Sequence, residues 1–318
     1  MTYSAGNLIQ ASDYNTFVGG NPTTTANTLN AVWATGGSGV GWGQTAVANV
    51  TAGNPITAAA WNSLFYNTGN AASHTGATIS AIANVSVGSS IAFQSALSTN
   101  LSNVYSARAN AAAQGSTTAN TVTYASTWSD SLTVTQTVTF ANGDAARYFF
   151  NAGGQIKMTV SHANVAAGIN ALFNTLCTNT GTVVISGQNT GSRTIAGVSY
   201  TGVQKVGGGG NAPSPYLTNN GYFALTTSNA NIFTQTATGT PAGYVSSFIR
   251  YLIKSNGTVG SNGDVGNVIT IYTVWDEVPN GLTMGTGSTT TLTIVPPSTT
   301  YIANTWGTIT LAGSATGV

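Results

Sequence analysis

The chain has 318 residues and a formal net charge of +1, and Lys, Arg, Asp and Glu make up only 4% of it, against ~25% in ordinary soluble proteins. Its seven basic residues are scattered, which excludes the clustered Lys and Arg of a phosphate-binding surface. A single cysteine excludes an intrachain disulfide framework, and no apolar run approaches the ~20 residues of a membrane-spanning helix.

What remains is a chain able to bury a core, since 42% of it is apolar. Thr, Ser, Asn, Gly and Ala hold the places that charges normally take, and Tyr14 to Ala107 contains no charged residue. Such a surface is wetted by hydroxyls and amides and has little to keep copies apart. The start, MTYSAGNLIQ, lacks the basic region and apolar core of a signal peptide. The expectation is a protein made in a cytoplasm and not exported by that route.

The amino-terminal part contains an internal repeat. NLIQASDYNTF (Asn7 to Phe17) matches NPITAAAWNSL (Asn54 to Leu64). Each copy reads as an extended entry ending at Ile9 or Ile56, then a short helix. Thr57 suits an N-cap. Trp61, Leu64 and Phe65 fall on one helical face, as do Tyr14, Phe17 and Val18 in the first copy. These stripes suit a core or a subunit contact. Tyr14, Phe17, Trp61, Leu64 and Phe65 are therefore the candidate assembly residues of this segment.

Between the copies, GGSGVGWGQ (Gly36 to Gln44) superficially resembles a phosphate-binding loop. No Lys-Ser or Lys-Thr follows it and no strand–helix unit frames it, so nucleotide binding is not expected. Ser95 to Ala113 reads as a helix with Ala96, Leu97, Leu101, Val104 and Tyr105 as its apolar positions, or more weakly as a linker.

Leu132 to Val160 carries the densest pattern. Leu132, Val134, Val138 and Phe140 alternate with Thr133, Thr135, Thr137 and Thr139, broken only by Gln136, which is the period of a half-buried strand. Turn chemistry at Asn142-Gly143-Asp144 and at Asn151-Ala152-Gly153-Gly154 then predicts a three-stranded meander through Arg147-Tyr148-Phe149-Phe150 to Ile156, Met158 and Val160. A helix over 145–150 is the competing reading, disfavoured by the Gly and Thr on both sides. Asp144 and Arg147 suit an ion pair that fixes this hairpin, or else Arg147 reaches a neighbouring chain.

Val165, Ile169, Leu172, Phe173 and Leu176 then sit at helical spacing, with Ser161 or Asn164 as cap and Asn179 to Gly181 as stop. Strand candidates follow at 183–186, 193–200, 222–226, 244–253, 268–275, 290–295 and 307–311. Trp128 and Trp306 each open a Thr-rich strand, which suggests that the two ends of this region meet in one sheet. The fold expected is mainly β. An antiparallel β-sandwich domain over 116–318 carries one packed helix, and a small mixed segment with short helices over 1–115 precedes it, acting in docking and assembly.

The residues point to no catalytic set, cofactor or metal. There are two histidines, His74 and His162, and one cysteine, Cys177, placed near a helix end as a small apolar group. Asp276 and Glu277 are neighbours on a strand end, where side chains point to opposite faces, and read as a solvated turn. The six tryptophans and thirteen tyrosines offer platforms for sugars, although core or interface packing is the commoner use. Tyr216, in the loop after Gly207 to Gly210, is the candidate glycan contact.

ARYFFNAGGQIKMTV, with the preceding TW...LTVTQTVTF, resembles a segment of virion structural proteins of tailed bacteriophages, especially those of cyanobacteria and other aquatic hosts. NGYFALTTSNANIF and TWGTITL fit the same group, as does GWGQTAVANVTAGNPITAAAWNSLFYNTGNAASHTG near the start. The resemblance covers most of the chain and describes architecture, not chemistry. The chain departs from the group in its poverty of charge, and in Thr75 after His74 where Gln is frequent. The resemblance implies a non-enzymatic particle component, most often of the tail, baseplate or tail fibre. Partners expected are copies of itself, in a trimer or higher symmetric array, and other virion proteins, with the virion as its location. A capsid decoration or head fibre, or an adhesin for a host surface glycan, are the alternatives. Neither nucleic acid nor membrane insertion is expected.

Overall fold

The computed structural model describes residues 9–23, 25–37, 39–187, 192–209, 221–237 and 243–318. Four helices come first: α1 (Ala11–Val18), α2 (Leu29–Val32), α3 (Ala58–Thr75) and α4 (Gln94–Ala107). Then follow β1 (Thr118–Tyr124), β2 (Ser131–Thr139), α5 (Gly143–Asn151), β3 (Gln155–His162), α6 (Ile169–Thr180) and β4 (Thr182–Ile185). The rest is β5 (Arg193–Ile195), β6 (Val198–Tyr200), β7 (Val203–Val206), β8 (Ala230–Thr236), β9 (Phe248–Ser255), β10 (Val268–Asp276), β11 (Ser288–Val295) and β12 (Thr310–Gly317).

The strands form a mainly β, sandwich-like structure. One sheet has the order β1-β11-β3-β4-β7, the other β12-β2-β10-β9-β8, and every pairing within them is antiparallel. The small β5–β6 hairpin turns at Ala196-Gly197, both at positive φ. It lies outside the first sheet, where Ile195 and Tyr200 cover Val184 and Ala111.

The Thr/apolar alternation of β2 does what its period dictates. Leu132, Val134 and Val138 are fully buried, each such side chain contributing about 1.5–3 kcal/mol, and the threonines face outward, half-exposed. Gln136, the break in the pattern, is buried too. Its Nε2 donates to the carbonyl and side-chain oxygens of Asn120, both at 2.9 Å, tying β2 to β1 in the opposite sheet. The two ends of the region do meet in one sheet, because β12 pairs along the whole of β2 from Thr310 opposite Thr139 to Gly317 opposite Leu132.

The predicted meander is not formed. Residues 143–151 are the helix α5, and β2 and β3 lie in different sheets. Asn142 caps the helix by accepting from the Ala145 N–H at 2.8 Å, and Asp144 stands in the first turn, where the helix dipole favours an acid. Ala145, Ala146, Phe149 and Phe150 fall on one helical stripe and are all buried. That stripe outweighs the β preference of Tyr and Phe.

Residues 222–224 are a 3-10 turn and not the expected strand, while β7 and β8 add two strands that the sequence did not announce. Helix α6 begins at Ile169, after Gly168, leaving Val165 outside it and 67% exposed. It packs between β3 of one sheet and β8 and β9 of the other. Two helices, α5 and α6, therefore accompany the sandwich where one was expected.

The repeat is a structural one. Tyr14 and Trp61 meet edge to face with centroids 5.0 Å apart, and Phe93 joins Trp61 at 4.9 Å and Phe65 at 4.7 Å. The Thr57 hydroxyl caps α3 by accepting from the Ala60 N–H at 3.1 Å. The long extended segments around these helices have no strand to pair with, so side-chain amides take the strand's place. Asn15 accepts from the N–H of Val50 and donates to its carbonyl, and its repeat equivalent Asn62 does the same to Val85. Asn30 holds Val47, Asn100 holds Ser80 and Gln44 holds Ala303 by the same two-point grip. Each clamp satisfies a donor and an acceptor that would otherwise go unpaired.

Candidate functional site

Around α5 polar side chains tie the amino-terminal segment to the sandwich. Arg147 is completely buried. Its Nε and Nη2 donate to Asp144 Oδ1 at 3.2 and 3.0 Å, and its Nη1 donates to the Thr35 carbonyl at 3.1 Å. The guanidinium also lies over the Tyr148 ring, 4.5 Å from its centroid. One turn on, Asn151 donates to the carbonyls of Gly39 and Gly41.

The Gly-rich loop is thus a close-packing device. A Cβ at Gly43, which sits at φ +71, would come within 2.4 Å of the Tyr148 ring, and one at Gly39 would meet the Gly260 carbonyl oxygen. Gln44 then reaches Ala303, 259 residues away, and Thr305 donates to the Trp42 carbonyl at 2.6 Å. The Ala-Arg-Tyr-Phe-Phe-Asn element is a joint. Phe149 and Phe150 enter the core, with Phe150 stacked on Tyr222 at 4.3 Å, while Arg147, Tyr148 and Asn151 hold the first segment.

His74 belongs to the same joint. Its ring packs edge-on against Trp42 with centroids 4.8 Å apart, and its Nε2 lies 3.0 Å from the Ala152 carbonyl oxygen. A carbonyl only accepts, so Nε2 carries the proton. Burial pushes the imidazole pKa down to about 4, with the Ala152 bond opposing the shift.

The predicted assembly residues come together, but inside the chain. Tyr14, Trp61, Leu64 and Phe65 are all buried, Phe17 is half-buried against Trp61, and Arg147 is sealed in the joint. They build the docking of one segment on another, and of the six only Phe17 keeps part of its side chain exposed. Tyr216 lies outside the described residues.

A polar relay that the sequence did not suggest links three elements and the segment before β2. The Trp128 Nε1–H donates to Ser288 Oγ at 3.1 Å, Ser288 lies 3.2 Å from His162 Nδ1, and His162 Nε2 lies 3.0 Å from Asn170 Oδ1. The indole can only donate, so the hydroxyl gives its hydrogen to Nδ1 and Nε2 donates onward. Asn170 Oδ1 also accepts from the Gly285 N–H at 2.8 Å. The order Ser-His-Asn is that of a nucleophile relay, yet Ser288 is fully buried, and its role here is to join β11, β3 and α6. Burial lowers the His162 pKa, opposed by the bond to Asn170.

Cys177 is buried among Leu172, Phe173 and Trp275, and burial raises its thiol pKa. The solvated turn expected at Asp276–Glu277 is only half right. Asp276 is half-buried at the end of β10, whereas Glu277 is 1% exposed and accepts from the Leu282 N–H at 2.9 and 3.2 Å. Burial raises both carboxyl pKa values. Among the described residues no group of three His, Cys, Asp or Glu side chains is placed to hold a metal ion.

Compared with protein-family models, curated proteins and solved structures, the chain matches none.

The outside of the molecule is unusual in one respect. Arg147, Arg193 and Glu277 are buried, and the other ten of the thirteen charged residues (seven basic and six acidic) are half-buried; not one is fully exposed. Charged side chains in most proteins are at the surface. Here the surface is hydroxyl and amide, as in the Thr121–Thr291 and Thr123–Thr289 pairs, whose hydroxyls lie 3.0 and 2.9 Å apart on the outer side of the first sheet.

Proposed function

We propose that this chain is a structural, non-enzymatic subunit of a bacteriophage virion, placed in the tail, baseplate or tail fibre and acting by self-association and docking. The observation that carries this reading is the neutral surface. With no charged side chain fully exposed on any described residue, neighbouring copies meet little electrostatic barrier, and hydroxyls and amides can pair across a contact with little of the desolvation cost of ions. The tied joint at α5 supports it from the other side. Polar side chains here are used to fix one segment of the chain on another, which suits a part that must hold its shape in an assembly.

The test is to look for the chain in gradient-purified particles and to locate it by labelling or density. Enrichment with intact tails is the expected result. Absence from purified particles, or a monomer at micromolar concentration that fails to associate on mixing with other virion proteins, overturns the reading.

A further inference from the structure

The two flanks of the sandwich differ. On one, β7 and β8 end the sheets. β7 has only four residues and includes Lys205, and β8 carries a register shift between Asn231 and Phe233. Lys205 Nζ reaches Gln235 Oε1 at 3.4 Å, linking the two edges, and α6 packs against β8. Lysine, shortness, a bulge and a covering element are the devices by which proteins prevent an edge strand from pairing with another chain.

The other flank has none of them. Its edges are β1, TANTVTY, and β12, TLAGSATG, with no charge and no proline in either, and no register shift where they pair with their sheets. The two strands lie close together, because Gly313 and Gly317 leave room for Val122 and Tyr124, which a Cβ would meet at 2.5 and 2.9 Å. Thr310, Ala312, Ser314 and Thr316 are exposed in strict alternation, and Gly313 between them is exposed as well. The Asn120 carbonyl of β1 is taken by Gln136. No hydrogen bond to the outer edge of β12 is present among the described residues.

We infer that the β1–β12 flank is the face through which two copies of this chain join, edge to edge about a two-fold axis, so that both sheets run on into the second copy. This rests on the self-association reading above and names the surface responsible. The occupant is a second copy because an antiparallel edge is its own complement. Rotation by a two-fold brings each free N–H of one edge to a carbonyl of the other, the Asn120 carbonyl held by Gln136 excepted. Two edges on one flank meet their mates together, each strand of seven or eight residues offering about 24–27 Å of edge. The flank strands are neutral, so like meets like without repulsion. The edges alone are smaller than the 20–30 residues a side of a stable interface, so the contact is concentration-dependent, as suits a subunit gathered on a particle.

The test is sedimentation velocity of the full chain from micromolar to near-millimolar concentration, with S314K on β12, T121K on β1 and, as a control on the other flank, T236K on β8. The expected result is a dimer whose dissociation constant rises at least about tenfold with S314K or T121K, T236K leaving it unchanged. Circular dichroism reports whether each variant is folded. As a second variant, S314C places one thiol near the axis and is expected to give a disulfide-linked dimer on mild oxidation, with Cys177 buried and unreactive. A dimer indifferent to S314K and T121K and not trapped by S314C overturns the flank while leaving self-association intact. A chain that stays monomeric at every concentration overturns both. Association only with another virion protein, lost in S314K, overturns the second copy as occupant.

Discussion

Tyr14 and Trp61 occupy equivalent positions of the internal repeat and meet edge to face, with ring centroids 5.0 Å apart. The two copies of one short motif therefore pack on each other, and the Tyr14 hydroxyl donates to the Ala60 carbonyl at 3.2 Å across the contact. Trp61→Ala is expected to destabilise the protein by about 3–5 kcal/mol, as other buried aromatic truncations do. Trp61 Nε1 makes no hydrogen bond, so Trp61→Phe is expected to cost clearly less. Denaturant unfolding of the two variants checks both, and equal losses would show that the indole is held by more than packing.

Asn62 and Val85 test the amide clamps. Asn62→Ala leaves the Val85 N–H and carbonyl unpaired and is expected to cost about 1–3 kcal/mol. Asn62→Asp keeps the acceptor but sets an anion against the Val85 carbonyl. Its loss is expected to be larger at neutral pH than at pH 4, where the carboxyl can donate. Thermal melts at the two pH values decide, and a pH-independent Asp variant would remove the clamp from the argument.

His74 makes stability depend on pH. Its folded pKa is about 4, below the ordinary 6.5, so between these values the unfolded chain binds the proton and the folded chain does not. The His74 contribution to stability is therefore complete above about pH 6.5 and is lost as pH drops toward 4, by an amount on the order of 3 kcal/mol. His162 acts in the same direction. His74→Gln, which can still donate to Ala152, is expected to flatten most of this slope. A slope unchanged in the variant would assign it to other groups.

Arg147 is the central tie of the joint. Arg147→Ala leaves the Thr35 carbonyl unpaired and takes the guanidinium from Asp144, whose side chain is 35% exposed and so partly resolvated, and is expected to cost about 1–3 kcal/mol. Arg147→Lys is expected to fail as well, because an ammonium cannot hold Asp144 through two nitrogens and reach Thr35 with a third. Limited proteolysis should show earlier cleavage between residues 36 and 57 in both variants. Wild-type resistance in Arg147→Lys would mean that charge alone suffices.

Glu277 gives the opposite pH signature from His74. Its folded pKa is raised, so the folded chain loses stability as pH rises from the ordinary carboxyl value through the raised one. Glu277→Gln keeps an acceptor for Leu282 and is expected to be as stable as the wild type at acid pH and more stable at neutral pH. Melting temperatures across that range measure the crossover.

The parts legible in the sequence were those set by local period or local chemistry. The Thr/apolar alternation gave β2, the cap at Thr57 and the aromatic spacing gave α3, and Ile169 to Leu176 gave most of α6. The α5 error arose because Arg-Tyr-Phe-Phe suits a strand by propensity, while the signals for a helix, the Asn142 cap and the Ala145-Ala146 stripe, are short. Aromatic stripes could be read as buried, but not whether a neighbour or the chain itself buries them. The relay through Trp128, Ser288, His162 and Asn170 comes from four separate segments and leaves no local trace.

By itself the sequence determined that the chain is mainly β, that its amino-terminal part repeats a helical motif and that its surface lacks charge, because period and composition are local properties. Only the tertiary structure decided that β2 and β3 lie in different sheets, that Asn15, Asn62 and Gln44 stand in for missing strands, and that no charge is fully exposed. It also decided that one flank is guarded while the other is bare. Those outcomes depend on which distant segments meet, and pairing across hundreds of residues is fixed by the shape of the whole core, which no window of sequence contains.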